Sequence, residues 1–336
     1  MLRASPDRLC EIYDLAMLDL DGVVYVGGRA VPGAPDHLES ARKLGMRLAF
    51  VTNNASRTPE TVAAHLVDLG IAAEPGDVVT SAQAAARLVA RRIPARSRVV
   101  ALGAEGLVAA LQSEGLVVVG VEDEAQALVS GYGPDLRWSD LMRAAVRVRD
   151  GLWWVASNTD LSIPTAYGTA PGHGVLVDML ARFSGVTPEV AGKPARPLLD
   201  ETVRRVGGTR PLMIGDRLDT DIEGARIAEV DSLLVLTGVT GLTELVAARV
   251  AERPTFIACD LRGLLEPHPS VTESGGATRC GGWSVSTSGG TLEVEGYGDA
   301  GDWWRAVAVA SWRHLDEHGD VVDVTGLETP ADAPAR

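Results

Sequence analysis

Short apolar runs and helix-length segments alternate along most of this chain. Leu15 to Leu20 is a compact apolar run that closes on acidic residues, a helix is expected near 33–44, and a second run spans Arg47–Thr52. Thr58-Pro59-Glu60 opens the next helix, with a capping hydroxyl and a proline in its first turn. The alternation continues from about Ser81 to Gly185, with strands near Arg98–Leu102, Leu116–Val119, Ala127–Ser130 and Leu152–Ala156. It resumes with a strand at Pro211–Ile214, a helix over about 218–228 and a strand at Ser232–Leu236. This rhythm predicts right-handed βαβ units and a mostly parallel sheet. Ligands of such sheets lie beyond the carboxyl ends of the strands.

The pattern changes from about Glu266. A Pro/Gly/Ser/Thr-rich linker leads into Trp283–Tyr297, which reads as a hairpin turning at Ser288-Gly289-Gly290. Asp302 is the expected cap of a helix running to about His314. Trp283, Trp303, Trp304 and Trp312 all lie in this tail, so it should pack rather than dangle.

Composition narrows the functional classes. A chain of 336 residues, 46% of them hydrophobic, allows two or three compact units. Its net charge of −14 and pI near 4.9 argue against nucleic acid and anionic membranes as partners. No apolar run approaches the roughly 20 residues of a spanning helix, and the first residues lack a signal-peptide core, so a cytoplasmic protein is expected. Cys10, Cys259 and Cys280 are scattered, as in a reduced protein. Lysine is nearly absent: only Lys43 and Lys193 survive among many arginines. That gives Lys193, in the turn Ala191-Gly192-Lys193-Pro194, some weight as a position where a compact ammonium is needed.

Candidate chemistry sits at the strand ends. Asp19-Leu20-Asp21-Gly22-Val23 places two acids at i and i+2, on one side of an extended chain, and Gly22 lets the backbone turn away. Such a pair suits a hard, oxygen-preferring cation, or a nucleophile and an acid. Gly215-Asp216-Arg217-Leu218-Asp219-Thr220-Asp221 follows another apolar strand, and Asp216 would complete a cation site. Thr52-Asn53-Asn54 puts a hydroxyl and amides before a helix N-terminus, which favours an anion. Taken singly, each segment has an ordinary explanation: a polar strand end, dipole stabilisation in a first helical turn, a cap, or an exposed loop lysine.

Taken in order, Asp19–Val23, Thr52, Lys193 and Gly215–Asp221 resemble the haloacid dehalogenase superfamily of phosphatases. The finer pattern, DLDGVVY, VTNN, GKP and GDRxxTD around a large insert, is similar to its nitrophenylphosphatase and phosphoglycolate phosphatase branch. The resemblance spans about Asp14 to Asp260. It implies an α/β fold: a Rossmann-like parallel-sheet core (11–81 and 186–265), an inserted α/β cap (82–185) that selects substrate, and a small α+β C-terminal extension (266–336). It implies Asp19 as nucleophile, Asp21 as acid and base, and Thr52 and Lys193 as holders of phosphoryl oxygens. Asp19, the Asp21 carbonyl and Asp216 would bind Mg²⁺, with Gly22, Gly215 and Asp221 in support. Whether Asp219 joins the metal shell is left open.

In the insert, Asn158-Thr159-Asp160 and Pro171-Gly172-His173-Gly174 also look like this family's cap. Asn53, Asn54, Arg57, Asn158, Asp160 and His173 are therefore the expected substrate-binding residues. Arg57 suits a carboxylate and Asp160 a hydroxyl, favouring a small phosphorylated metabolite such as glycerol phosphate or phosphoglycolate. Pyridoxal phosphate, stacked on His173, and sugar phosphates are the rivals. A phosphotransferase would share every catalytic residue. A dinucleotide-binding oxidoreductase is disfavoured, because Gly103-Ala104-Glu105-Gly106 lacks the second close glycine of its loop. The extension lies outside the resemblance: an acetyltransferase-like fragment is one reading, an interaction module another. Four arginines against twelve acids give it a charge of 4 − 12 = −8, unfavourable for coenzyme A. A homodimer, if formed, would use the cap or this extension. Every motif residue lies upstream of Glu266, so removing the tail is expected to leave the chemistry intact.

Overall fold

The structure, a computed structural model, describes residues 2–165 and 168–330. Short hairpins and single turns aside, the order begins with β1 (Leu15–Leu18), α1 (Ala34–Lys43), β2 (Arg47–Thr52), α2 (Pro59–Asp68), β3 (Val78–Thr80) and α3 (Ser81–Arg92). Next come β4 (Arg98–Leu102), α4 (Glu105–Ser113), β5 (Val117–Val119), β6 (Ala127–Ser130), α5 (Trp138–Arg149), β7 (Trp153–Ala156) and α6 (His173–Ser184). Then follow β8 (Glu189–Val190), α7 (Pro197–Val206), β9 (Pro211–Gly215), α8 (Glu223–Ile227), β10 (Asp231–Val235), α9 (Leu242–Val246) and β11 (Phe256–Ala258). The chain closes with β12 (Thr272–Ser274), β13 (Ala277–Cys280), β14 (Trp283–Ser288), β15 (Thr291–Gly296) and α10 (Ala300–His318).

The chain divides into two compact units: Met1–Leu48 with Leu69–Ile71 and Gly208–Arg336, and Ala49–Asp68 with Ala72–Gly207. In the first, β11, β10, β9 and β1 are neighbours in a parallel sheet. All four residues of β1 are buried, as befits a strand covered on both faces. In the second, β2 pairs with β3, and a five-stranded parallel sheet runs β8-β7-β6-β4-β5. The helices α5 and α6 pack against that sheet around Trp154, whose indole nitrogen donates to Ser130 Oγ at 2.9 Å. The α/β class and the alternation expected from the sequence are both realised.

The tail differs from expectation. The presumed linker forms two more strands, so β12–β15 make a four-stranded antiparallel sheet rather than a lone hairpin. The helix α10 starts three residues earlier than expected, capped by Asp299 rather than Asp302; the Asp299 Oδ1 accepts from the Gly301 amide at 2.8 Å. The tail also packs into the rest of its unit. Trp303, Trp304 and Trp312 share one hydrophobic core with Leu234 and Ile257 of β10 and β11, and with Leu218 and Ile222. Trp312 Nε1 donates to Leu245 O at 2.8 Å, and Arg253 grips both oxygens of Asp316 at 2.6 and 2.7 Å. Leu218 and Ile222 belong to the segment that carries Asp216 and Asp221, so the tail and this acidic segment rest on a common core. This packing argues against the expectation that removing the tail leaves the chemistry intact.

Candidate active site

In the first unit the pairing register puts acids side by side. Leu18 is opposite Ile214, and the Asp19 amide continues the ladder by donating to Ile214 O at 2.9 Å. Asp19 and Asp216 thus leave the carboxyl ends of two adjacent strands together. The chain after Asp216 does not enter a regular α-helix at once. Residues Leu218–Ile222 form a π-helical turn before α8, which brings Asp221 back beneath β9. Asp19, Asp216 and Asp221 each present a carboxylate oxygen within 4.8 Å of the others. Asp216 and Asp221 have no solvent exposure. Three carboxylates this close need positive charge to offset their mutual repulsion, and hard oxygen ligands fit Mg²⁺.

The cluster is built around glycines. Gly22 has φ +87°, and a Cβ there would overlap Asp216 Oδ2; one at Gly238 would do the same. A Cβ at Gly215 would strike Asp221. The loop after β10 holds Asp216 from the other side: the Val239 amide donates to Oδ2 at 2.6 Å, and the Thr240 amide to the Asp216 carbonyl at 3.1 Å. The Arg217 amide donates to Asp221 Oδ2 at 3.1 Å. Asp219 takes no part. It is exposed, and Arg217 binds both its oxygens at 2.8 and 3.1 Å. Asp21 lies in the turn that follows β1, paired with Tyr25, and is exposed.

In the second unit, Thr52 ends β2 and is buried, its Oγ1 accepting from the Asn54 amide at 3.0 Å. That leaves the hydroxyl hydrogen available to donate. Asn54 Oδ1 closes its own turn by accepting from the Ser56 amide and hydroxyl at 2.8 and 2.7 Å. Arg57 is exposed. Lys193 is buried, and its main chain is bound on both sides by one side chain: its amide donates to Asn53 Oδ1 at 2.8 Å, and its carbonyl accepts from Asn53 Nδ2 at 3.0 Å.

Three residues expected to face substrate do something else. Asn53 Nδ2 also donates to Asp160 Oδ1 at 3.0 Å, so both its hydrogens have partners within the protein. Asn158 is buried; its Nδ2 donates to Asn53 O at 2.6 Å, and its Oδ1 accepts from the Asp160 amide at 3.1 Å. His173 is buried at the first turn of α6, with Nδ1 donating to Asn158 O at 2.8 Å. Burial, only partly offset by that bond, pushes its pKa down to about 4, which keeps the ring neutral at ordinary pH. These groups form one internal network rather than a binding surface, because their polar atoms are already committed to each other. Asp160 and Asn54 are partly exposed.

Comparison with known proteins places the chain in a family. Residues 16–117 match the model of a haloacid dehalogenase-like hydrolase, and residues 190–264 match a HAD-hydrolase-like model. The chain is 41% identical over 322 residues to a D-glycerol 3-phosphate phosphatase of Mycobacterium tuberculosis, covering 92% of this chain and 89% of the relative. It belongs to the haloacid dehalogenase-like hydrolases. Among solved members, the glycerol phosphate phosphatase of Mycobacterium tuberculosis in complex with magnesium superposes with a TM-score of 0.83 at 41% identity, over 91% of this chain and 92% of that one. The 4-nitrophenylphosphatase of Thermotoga maritima gives 0.71 at 29% identity, over 76% and 97%. Residues 280–333 match a GCN5-related N-acetyltransferase-like domain.

Within this hydrolase the sequence pattern underrated Asp221, expected as support and found as the third carboxylate of the cluster. It missed the Thr237–Thr240 loop altogether. Thr237 Oγ1 donates to Gly22 O, and Val239 and Thr240 hold Asp216. A polar Thr-Gly-Val-Thr stretch directly after a buried parallel strand was the available signal.

Proposed function

We propose that this chain is a Mg²⁺-dependent phosphatase of small phosphate monoesters, with glycerol phosphate as its substrate. The observation that carries this reading is the Asp19–Asp216–Asp221 cluster at the ends of β1 and β9. The 41% identity to a D-glycerol 3-phosphate phosphatase across nearly the whole chain supports the substrate, and favours it over phosphoglycolate. The three carboxylates, with the Asp21 carbonyl, would hold the ion, which supplies positive charge against the phosphoryl oxygens. Asp19 attacks phosphorus and forms an aspartyl phosphate as the ester P–O bond breaks, and Asp21 gives its proton to the leaving oxygen. Asp21 then takes a proton from water, whose oxygen attacks the same phosphorus and returns Asp19 with inorganic phosphate. Exposure of Asp21 suits this two-way proton traffic. Thr52 and Lys193 are the residues assigned to the phosphoryl oxygens.

Residues 82–185 act in this reading as the substrate-selecting insert, and the protein works in the cytoplasm. Recognition of a small polyol falls to Arg57, Asn54 and Asp160, the expected contacts that retain exposure. The buried His173 ring is in no position to stack on a pyridine, which weighs against pyridoxal phosphate. Phosphate release from glycerol 3-phosphate, phosphoglycolate, sugar phosphates and pyridoxal phosphate tests the proposal. Glycerol 3-phosphate should give the highest kcat/KM, EDTA should abolish turnover, and Asp19→Asn should be inactive. Multiple turnover by Asp19→Asn would overturn the mechanism. A tenfold preference for pyridoxal phosphate, about 1.4 kcal/mol in transition-state binding, would overturn the substrate.

A further inference from the structure

The Asn53 side chain is bound to more of its unit than any role in contacting substrate would need. Its Nδ2 has two acceptors, Asp160 Oδ1 and Lys193 O, both at 3.0 Å, while Oδ1 accepts from the Lys193 amide at 2.8 Å. Exchanging the amide's nitrogen and oxygen would set all three bonds donor against donor or acceptor against acceptor, so the network itself fixes the orientation. The main chain of Asn53 is gripped as well. Its carbonyl accepts from Asn158 Nδ2 at 2.6 Å and from Ser81 Oγ, in the first turn of α3, at 2.5 Å. Space is equally constrained: a Cβ on Gly192, the residue before Lys193, would lie 2.6 Å from Asn53 Oδ1.

We propose that Asn53 is a positioning residue for Lys193, and that Asp160 is the anchor that holds the Asn53 amide in place. Binding the amide and the carbonyl on either side of the Lys193 Cα fixes where that side chain starts and which way it leaves the backbone. The carboxylate of Asp160 makes a charge-assisted bond to Nδ2, stronger than a neutral one. Three segments thus converge on Asn53 at the end of β2: the start of α3, the loop after β7 and the Lys193 turn. Lys193 is one of only two lysines in the chain and is buried. A buried ammonium that must meet a phosphoryl oxygen has little freedom to search for it, so a small displacement at its root is costly.

The inference rests on the phosphatase reading, and a double-mutant cycle on glycerol 3-phosphate hydrolysis by the full chain with Mg²⁺ separates the two. Asn53→Ala should lower kcat by about 10- to 100-fold while KM changes by less than about threefold. In a Lys193→Met background the same change should alter the residual rate by less than about twofold, because its effect passes through the lysine. Circular dichroism checks that each variant is folded. If Asn53→Ala does not fold, Asn53→Asp runs the same cycle, since it keeps the shape and the acceptor but loses both donors. An equal loss from the Asn53 change in both backgrounds would overturn the proposal, as would a neutral Asn53 variant beside an inactive Lys193→Met. Lys193→Met at the wild-type rate also overturns it. Failure of the wild type to hydrolyse the ester removes the phosphatase reading and the inference together.

Discussion

A carboxylate cluster works only if each acid is held where repulsion would otherwise push it away. Here the holding is done by glycines and backbone amides. Gly22 is the sharpest case: its φ of +87° lies in the left-handed region, and any Cβ would meet the Asp216 carboxylate. Gly22→Ala should therefore cost about 1–2 kcal/mol from backbone conformation alone and displace the Asp216 carboxylate, a proposed Mg²⁺ ligand, besides. Calorimetric titration with Mg²⁺ should give a Kd raised at least about tenfold, together with a lowered melting temperature. Unchanged Mg²⁺ affinity would mean that Asp216 does not bind the ion. Asp219 makes the opposite point: two positions from Asp221, it is an exposed partner of Arg217 because the π-helical turn points only one of the two inward.

At the scale of elements, two buried histidines link segments and set an acid limit on stability. His173 ties the start of α6 to Asn158, and His268 Nε2 donates to Gly263 O at 2.9 Å while its ring packs tilted against Phe256 of β11. Burial pushes both pKa values down to about 4, with the nearby Arg305 guanidinium acting in the same direction on His268. Above pH 6.5 the folded and unfolded chains both carry neutral rings, and these groups leave stability unchanged. Between pH 6.5 and 4 the unfolded chain takes up protons that the folded one refuses, so stability falls as pH falls. At pH 4.5 the loss should reach about 2–3 kcal/mol per ring. Urea midpoints from pH 7.5 to 4.5 measure it, and the two ring C–H resonances should titrate near pH 4. A ring titrating at pH 6.5 would show that it is solvated.

At the scale of the whole molecule, the C-terminal extension is part of a core. Its three buried tryptophans close over β10, β11 and the Leu218–Ile222 turn. Losing a single buried tryptophan side chain typically costs about 3–5 kcal/mol, against total stabilities of about 5–15 kcal/mol. A chain ending at Glu266 should therefore unfold or aggregate, with loss of both hydrolysis and Mg²⁺ binding. Circular dichroism and a thermal melt check this. A truncated chain that melts cooperatively near the wild-type temperature would show the extension to be a separate module after all. The buried Arg305 adds to the case, since removing the tail would also remove its bonds to Ile257 O at 3.1 Å and to Asp302 at 2.7 Å.

The alternation of apolar runs and helices, and the acids at the ends of Leu15–Leu18 and Pro211–Gly215, were legible in the sequence by itself. Both are local properties: hydrophobic period sets the element, and the strand end sets where polar groups emerge. Membership of a hydrolase family was legible too, because the order of short motifs along the chain carries it. What only the tertiary structure decided is which polar groups meet. Asp221 joins Asp19 and Asp216, while Asp219 turns to Arg217; Asn53 and Asn158 spend their amides on Lys193, Asp160 and each other, while Arg57 stays exposed. The tail's two extra strands and its shared core were likewise beyond local reading, since Thr272–Ser274 is a polar edge strand with no apolar pattern of its own. The physical reason is common to all of these. A side chain's propensity is written within a few neighbours, but its hydrogen-bond partner and its burial are set by residues tens or hundreds of positions away.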